Sequence, residues 1–290
     1  MRDLSADSEL RHLSLNTATV RKQGDLLEIL SAAGRHGISC VSPWRDQVQA
    51  VGLDKAVRAV REGGFRLSGY CRGGMFPADA ARRAEERDDN RRAVDEAAAL
   101  GAPCLVLVVG GLPQFSRPGS VPIRDIDLAR DQVEDGIGAL AEHAAAAGVP
   151  LAIEPLHPMY AADRSCVNTL RQALDICDRL DPDGALRLGV AIDVYHVWWD
   201  PEVYDQIARA GAGGRIHAFH LCDWLVPTKD LLNDRGMMGD GVIDLPRLRR
   251  AVEAQGFDGA CEVEIMSDHL WSRPMDEVLA TMIDRYRTVC

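Results

Sequence analysis

No apolar run in the sequence approaches the roughly 18–20 residues that a bilayer-crossing helix needs, so a membrane span is not expected. Positive charge is also short: 33 Lys and Arg against 44 Asp and Glu leave a net charge of −11. A surface of that sign disfavours nucleic acid and anionic membrane as partners. The opening stretch Met1-Arg-Asp-Leu-Ser-Ala-Asp lacks a hydrophobic signal region, and a cytoplasmic location is the expectation. Eight cysteines are present, yet none is spaced C-x-x-C, which removes the usual metal-clasp and redox spacings. Cys40, Cys71, Cys104, Cys222 and Cys261 fall in or beside expected strands and read as small buried hydrophobes, whereas Cys290 reads as an exposed free thiol. Gly110-Gly111 follows an apolar run but lacks the G-x-G-x-x-G fingerprint, so a bound nicotinamide is not expected. No serine, threonine or cysteine is recognisably paired with a histidine as an activated nucleophile.

What is present is a strict alternation of short apolar runs and helical stretches. Strands are expected at residues 11–17, 38–41, 65–71, 104–109, 149–153, 190–192 (an apolar run ending on Asp193), 215–222 and 260–265. Several lack polar alternation, as strands covered on both faces do. Helices are expected at 24–35, 47–62, 78–100, 125–147, 168–180, 201–212, 244–255 and 274–287. Asp200 and Asp244 read as N-caps, Pro201 as a first helical residue, Gly73-Gly74 as a loop and Gly256 as a helix stop. Eight parallel strand–helix units close naturally into a (β/α)8 TIM barrel, and no linker divides residues 1–290, so one domain is expected. The stretches 112–124 and 223–240 are long for connections and read as walls of a pocket, carrying Phe115, Trp224, Lys229 and Arg235.

In such a barrel, function belongs at the C-terminal ends of the strands. Those positions hold Glu154, Asp193, His220 and Glu264 on four consecutive strands. One carboxylate at a strand end is more often a cap or an ion-pair partner, and His217 nearby reads as a core histidine. Four such groups at matching positions are another matter, because three carboxylates cannot share a buried end without a cation. One divalent metal resolves the charge: Mn²⁺, Mg²⁺ or Co²⁺ suits three oxygens and a nitrogen, with Zn²⁺ also admitted. His157 falls at the rim, and Trp44 and Trp224 follow strand ends, where an indole face can stack on a sugar ring. Trp198 and Trp199 are equally well read as packing between helices.

The chain resembles the xylose-isomerase-like TIM barrels, a family of sugar epimerases, keto-sugar isomerases, inosose dehydratases and the endonuclease IV branch. The resemblance runs over nearly the whole chain and rests on Ile153-Glu154-Pro155, Ile192-Asp193-x-x-His196, His220-Leu-Cys-Asp223, Arg235 with Gly239-Asp-Gly241, and Glu262-Val-Glu264. It implies that Glu154, Asp193, His220 and Glu264 bind one divalent ion, that Glu154 and Glu264 flank the substrate carbon as the catalytic pair, and that His196 and Arg235 contact substrate oxygens. The multi-zinc DNA-cleaving branch requires further histidines, and Gly69-Tyr70-Cys71 and Val108-Val109-Gly110 supply none.

The resulting expectation is a metal-dependent isomerase or epimerase of a small keto- or aldo-sugar, abstracting a proton beside a metal-bound carbonyl through an enediolate. A lyase or dehydratase acting on a keto-inositol, dehydroshikimate-like or 3-keto-glycoside substrate shares that first step, and a non-catalytic sugar-binding or partner-subunit barrel is the remaining class. No glycine-rich anion loop is evident, so a non-phosphorylated substrate is favoured. A homo-oligomer is compatible with the sequence but not specified by it.

Overall fold

The computed structural model describes residues 2–7, 10–80, 82–112 and 124–290. The apolar runs become β1 (Leu13–Asn16), β2 (Cys40–Ser42), β3 (Arg66–Leu67), β4 (Tyr70–Gly74), β5 (Leu105–Val108), β6 (Leu151–Ile153), β7 (Leu188–Asp193), β8 (Ile216–Leu221) and β11 (Cys261–Val263). They form one sheet in the order β3-β2-β1-β11-β8-β7-β6-β5-β4. The two ends of that order are one stretch of chain. Beyond β3, Ser68 N donates to Val41 O (3.1 Å) and Cys71 N to Pro43 O (3.2 Å), and Trp44 and Cys71 form a parallel bridge. At the other end, Met75 N donates to Val108 O at 2.9 Å, just past β4 and β5. Counted as chain runs among the described residues, there are eight, each followed by helix, and the fold is the TIM barrel.

By packing the chain divides into two compact units. One is Met1–Cys71 with Ala218–Cys290; it holds helices α1 (Leu26–Arg35), α2 (Arg45–Val51), α3 (Leu53–Glu62), α9 (Leu245–Glu253), α10 (Asp268–Trp271) and α11 (Met275–Thr288). The other is Arg72–His217, with α4 (Arg83–Leu100), α5 (Ile126–Ala146), α6 (Leu170–Leu180), α7 (Val194–Val197) and α8 (Val203–Ala212). Helix starts are set by short polar side chains. Asp25 and Glu28 close a capping box on α1, Thr169 and Gln172 close one on α6, and Asp125 and Asp244 cap α5 and α9. Each cap is worth about 1 kcal/mol.

Several expectations are corrected. The helix expected at 47–62 is two helices, because Gly52 adopts φ 91° between them. Gly73-Gly74 is strand, not loop: a Cβ on Gly74 would meet Val108 O at 2.0 Å, so only glycine allows β4 this close to its neighbour. Asp200 caps a turn, accepting from Glu202 N at 2.9 Å, and α8 starts later, at Val203. The stretch 223–240 contains an antiparallel pair, β9 (Asp223–Trp224) with β10 (Arg235–Gly236). Cys290 is only partly exposed, and burial raises its thiol pKa. His217 is likewise partly exposed, at 3.0 Å from Arg187 O. Phe115 and most of the expected 112–124 wall lie outside the described residues. No helix among the described residues is long and apolar enough to cross a membrane.

Candidate metal centre

In the unit Arg72–His217, the strand ends deliver two carboxylates. Glu154 follows β6 directly, and its N–H extends the ladder to Leu107 O at 3.1 Å. Asp193 ends β7, where its Oδ1 accepts from Tyr195 N at 2.8 Å and so turns the chain into α7. That turn returns His196 beneath Asp193, with Nε2 at 3.7 Å from Asp193 Oδ2. His196 Nδ1 accepts from His157 N at 3.1 Å, which leaves the proton of a neutral ring on Nε2. His157 is half-buried, and its burial lowers the pKa of its own imidazole. Trp199 joins this group: its Nε1 donates to His196 O at 2.8 Å, and its ring lies edge-on to His157 at 5.5 Å.

In the other unit, His220 lies in β8 and Glu264 directly follows β11. Both are buried. Arg235 comes from β10 and places Nη1 at 3.1 Å from Glu264 Oε2. The other carboxylate oxygen, Oε1, accepts from Asn16 Nδ2 at 3.1 Å. Trp44 is tied in through its Nε1, which donates to Asn16 Oδ1 at 2.7 Å, and the Arg21 guanidinium lies 5.1 Å above its ring. Trp224 is partly buried and faces Arg235 in the β9–β10 register. Lys229 is exposed.

That hairpin is organised by Asp223. Its carboxylate accepts from four backbone N–H groups: Trp224 (2.8 Å), Gly239 (2.9 Å), Gly241 (2.9 Å) and Ile243 (3.0 Å). Gly239 has φ 88°, and a Cβ on Gly241 would meet Trp224 O at 2.2 Å. The Gly239-Asp-Gly241 spacing is therefore the shape of a loop wrapped round a buried carboxylate.

Glu154, Asp193, His220 and Glu264 each offer a ligand atom, and these atoms all lie within 4.8 Å of one another, on buried side chains. Counting Glu262, four carboxylates are buried here with one buried guanidinium, Arg235. Such an excess of negative charge calls for a cation. Three oxygen donors and one imidazole form a donor set suited to a divalent ion. Two residues of this region, Asn16 and Glu262, escape a reading confined to carboxylates and imidazoles at strand ends. Asn16 does end β1, which was the available signal.

The model of a family described as the xylose isomerase-like TIM barrel matches residues 27–288. Among solved structures, protein SMc04130 of Sinorhizobium meliloti 1021 is similar at a TM-score of 0.91 and 61% identity, over 97% of this chain and 99% of that one. The putative hydroxypyruvate isomerase of Mus musculus is 26% identical over 262 residues, 84% of this chain and 85% of that protein. The IOLI protein, crystallised with a zinc atom, shares the fold at a TM-score of 0.78 and 20% identity, over 96% of this chain and 99% of that one. With the family model spanning the chain from α1 to the end of α11, the chain belongs to the xylose isomerase-like TIM barrel family.

Proposed function

We propose that the protein is a divalent-metal-dependent isomerase or epimerase of a small polyhydroxylated carbonyl compound, a keto- or aldo-sugar or its derivative. The observation that carries this reading is the convergence of Glu154, Asp193, His220 and Glu264 ligand atoms within 4.8 Å. A relative named as a putative hydroxypyruvate isomerase supports the reaction class. Those four residues would hold the ion, with Mn²⁺, Mg²⁺ or Co²⁺ favoured by the oxygen-rich set and Zn²⁺ admitted. When bound, a divalent ion supplies Lewis acidity that makes the C–H beside a carbonyl easier to deprotonate.

The chain's own groups do the rest. One of Glu154 and Glu264 takes the proton from the carbon next to the carbonyl, and the C–H electron pair moves toward the carbonyl oxygen to give an enediolate. The other carboxyl, in its protonated form, returns a proton: to the former carbonyl carbon in an isomerase, as the proton of the adjacent hydroxyl passes to the former carbonyl oxygen, or to the opposite face of the same carbon in an epimerase. Glu264 is suited to fixed delivery, because Arg235 holds one of its oxygens and Asn16 the other. His196 is suited to donating its Nε2 proton to a substrate hydroxyl or carbonyl oxygen, with His157 setting the tautomer through its backbone. Arg235, His157, Trp44 and Trp224 complete the substrate contacts in this reading.

The test is incubation of a panel of ketoses, keto-inositols and 3-keto-glycosides with metal-loaded protein in D₂O. A rearranged product carrying deuterium at the reacting carbon is expected, lost on chelation and restored by metal. Glu154→Gln and Glu264→Gln should each lower kcat by roughly 10²–10⁴-fold. Release of water or an aglycone with an unsaturated ketone left behind would replace isomerisation by elimination. Turnover surviving both substitutions together would refute either chemistry.

A further inference from the structure

Glu262 is buried two residues before Glu264, and the reaction proposed above gives it no task. A buried carboxylate is costly unless its oxygens are met. Here Oε1 accepts from Asn16 Nδ2 at 2.7 Å and Oε2 accepts from Ser68 Oγ at 2.7 Å. Ser68 Oγ also lies 2.6 Å from Ser14 Oγ. Since Ser68 gives its proton to Glu262, Ser14 is the donor to Ser68. The carboxylate is thus held from two sides by groups that are themselves held.

The remaining neighbour is His220. It pairs in register with Glu262 across β8 and β11. Its Nε2 is 3.5 Å from Glu262 Oε1, whereas its Nδ1 is 3.8 Å from Glu264 Oε2. Each ring nitrogen therefore faces one glutamate. A neutral imidazole has one N–H and one lone pair, so only two arrangements exist. With the proton on Nε2, the N–H lies on the Glu262 side, 3.5 Å from Oε1 as a charge contact and not a formed hydrogen bond, and the Nδ1 lone pair lies on the Glu264 side. Either tautomer leaves one lone pair near a glutamate, but the other one also turns an N–H toward the place a cation would take. With a cation bound, electrostatics selects the first.

We propose that Glu262 is a positioning residue: clamped by Asn16 and Ser68, it keeps the His220 proton on Nε2 and so presents Nδ1 as the metal-ligating atom. Asn16 has a linked role, because its single amide group donates to Glu262 Oε1 and to Glu264 Oε1 and so sets the spacing of the two glutamates. The inference rests on the metal-centre reading for its purpose and for the choice of tautomer, but not for its geometry. Partners of this kind on metal-ligating histidines are worth roughly 10–100-fold in metal affinity.

The experiment is ¹⁵N NMR of histidine-labelled protein loaded with diamagnetic Zn²⁺, with the His220 ring assigned by its loss in His220→Asn, and Co²⁺ titration calorimetry of the metal-free protein. The wild-type ring should be protonated on Nε2. Glu262→Gln keeps an oxygen for Asn16 and His220 and can turn its amide toward Ser68, so it should retain that tautomer and lose roughly tenfold in Co²⁺ affinity. Glu262→Met removes every acceptor and should lose more Co²⁺ affinity than Glu262→Gln. A wild-type ring protonated on Nδ1 would overturn the proposal, as would unchanged Co²⁺ affinity in Glu262→Gln. Should the Met variant fail to fold, the wild-type tautomer and the Gln affinity decide. If wild-type protein bound no divalent ion, the metal-dependent function would fall and this role with it, whereas ion binding with a ring protonated on Nδ1 would overturn the role of Glu262 alone.

Discussion

Removing the Asp223 side chain is the sharpest test of how the β9–β10 loop is held. Asp223→Ala deletes the acceptor for the backbone N–H groups of Trp224, Gly239, Gly241 and Ile243, in a region where Asp223 itself is 1% exposed. Hydrogen bonds to a charged partner are worth about 1.5–3 kcal/mol each, but they are not additive, and water can enter the space left by the carboxylate. A net loss of about 4–5 kcal/mol follows, at the upper end of what breaking a buried charged contact costs. Asp223→Asn keeps one oxygen and turns an NH₂ group on one N–H pair: Gly239 and Gly241 at Oδ2, or Trp224 and Ile243 at Oδ1. It should cost about half as much, near 2–3 kcal/mol. Guanidinium chloride unfolding at unchanged m-value reads both directly. Because the loop carries Arg235, which touches Glu264 at 3.1 Å, turnover should fall with stability in the same order. A loss under about 1 kcal/mol for Asp223→Ala would refute the view that this carboxylate organises the loop.

Two further outcomes are expected away from the candidate centre. Gly74→Ala should destabilise by about 3 kcal/mol or more, since its φ of 110° and a Cβ placed 2.0 Å from Val108 O are both forbidden. The backbone cannot retreat, because Asn90 grips both Gly74 N (2.6 Å) and Gly74 O (2.8 Å); near-wild-type stability in denaturant would contradict this. His12 has its pKa lowered first by burial and then by the Arg2 guanidinium, whose Nη1 meets the ring Nδ1 at 2.7 Å. The unfolded chain therefore binds the proton more readily, so this contribution is present above a pH of about 6.5 and is lost as pH falls toward the folded value. Comparing Tm across that window, wild type should lose ground to His12→Gln on acidification, and parallel curves would exclude the effect.

Most of the barrel was legible because burial on both faces leaves strands such as β5 and β7 as unbroken apolar runs. The Gly73-Gly74 end of β4 was not. Its register depends on Gly74 approaching Val108 O more closely than any side chain permits, a tertiary condition that reads locally as a glycine loop. Gly52 misled in the opposite sense, lying inside a helical pattern while its φ of 91° splits the helix. At the candidate centre, Glu154, Asp193, His220 and Glu264 stood out because a charged group ending a buried strand needs an explanation. Asn16 and Glu262 did not, one being uncharged and the other already absorbed into the Glu262-Val-Glu264 motif.

Both were nevertheless within reach of the period-two rule. Residues i and i+2 of a strand face the same side, so Glu262 had to share the face of Glu264, as Ser14 had to share that of Asn16. The registers Ser14↔Glu262 and Glu262↔His220 place three of these on one level. Asn16 and Glu264 then form the next level toward the strand ends, joined at 3.1 Å, and Asn16 reaches back to Glu262 at 2.7 Å. Ser14 and Glu262 are buried on the lower level, and their polar groups are met within the chain. Their work is therefore done on their neighbours: a charge fixed below, joined to the Asn16 amide of the upper level, determines how His220 beside it and Glu264 above it are presented.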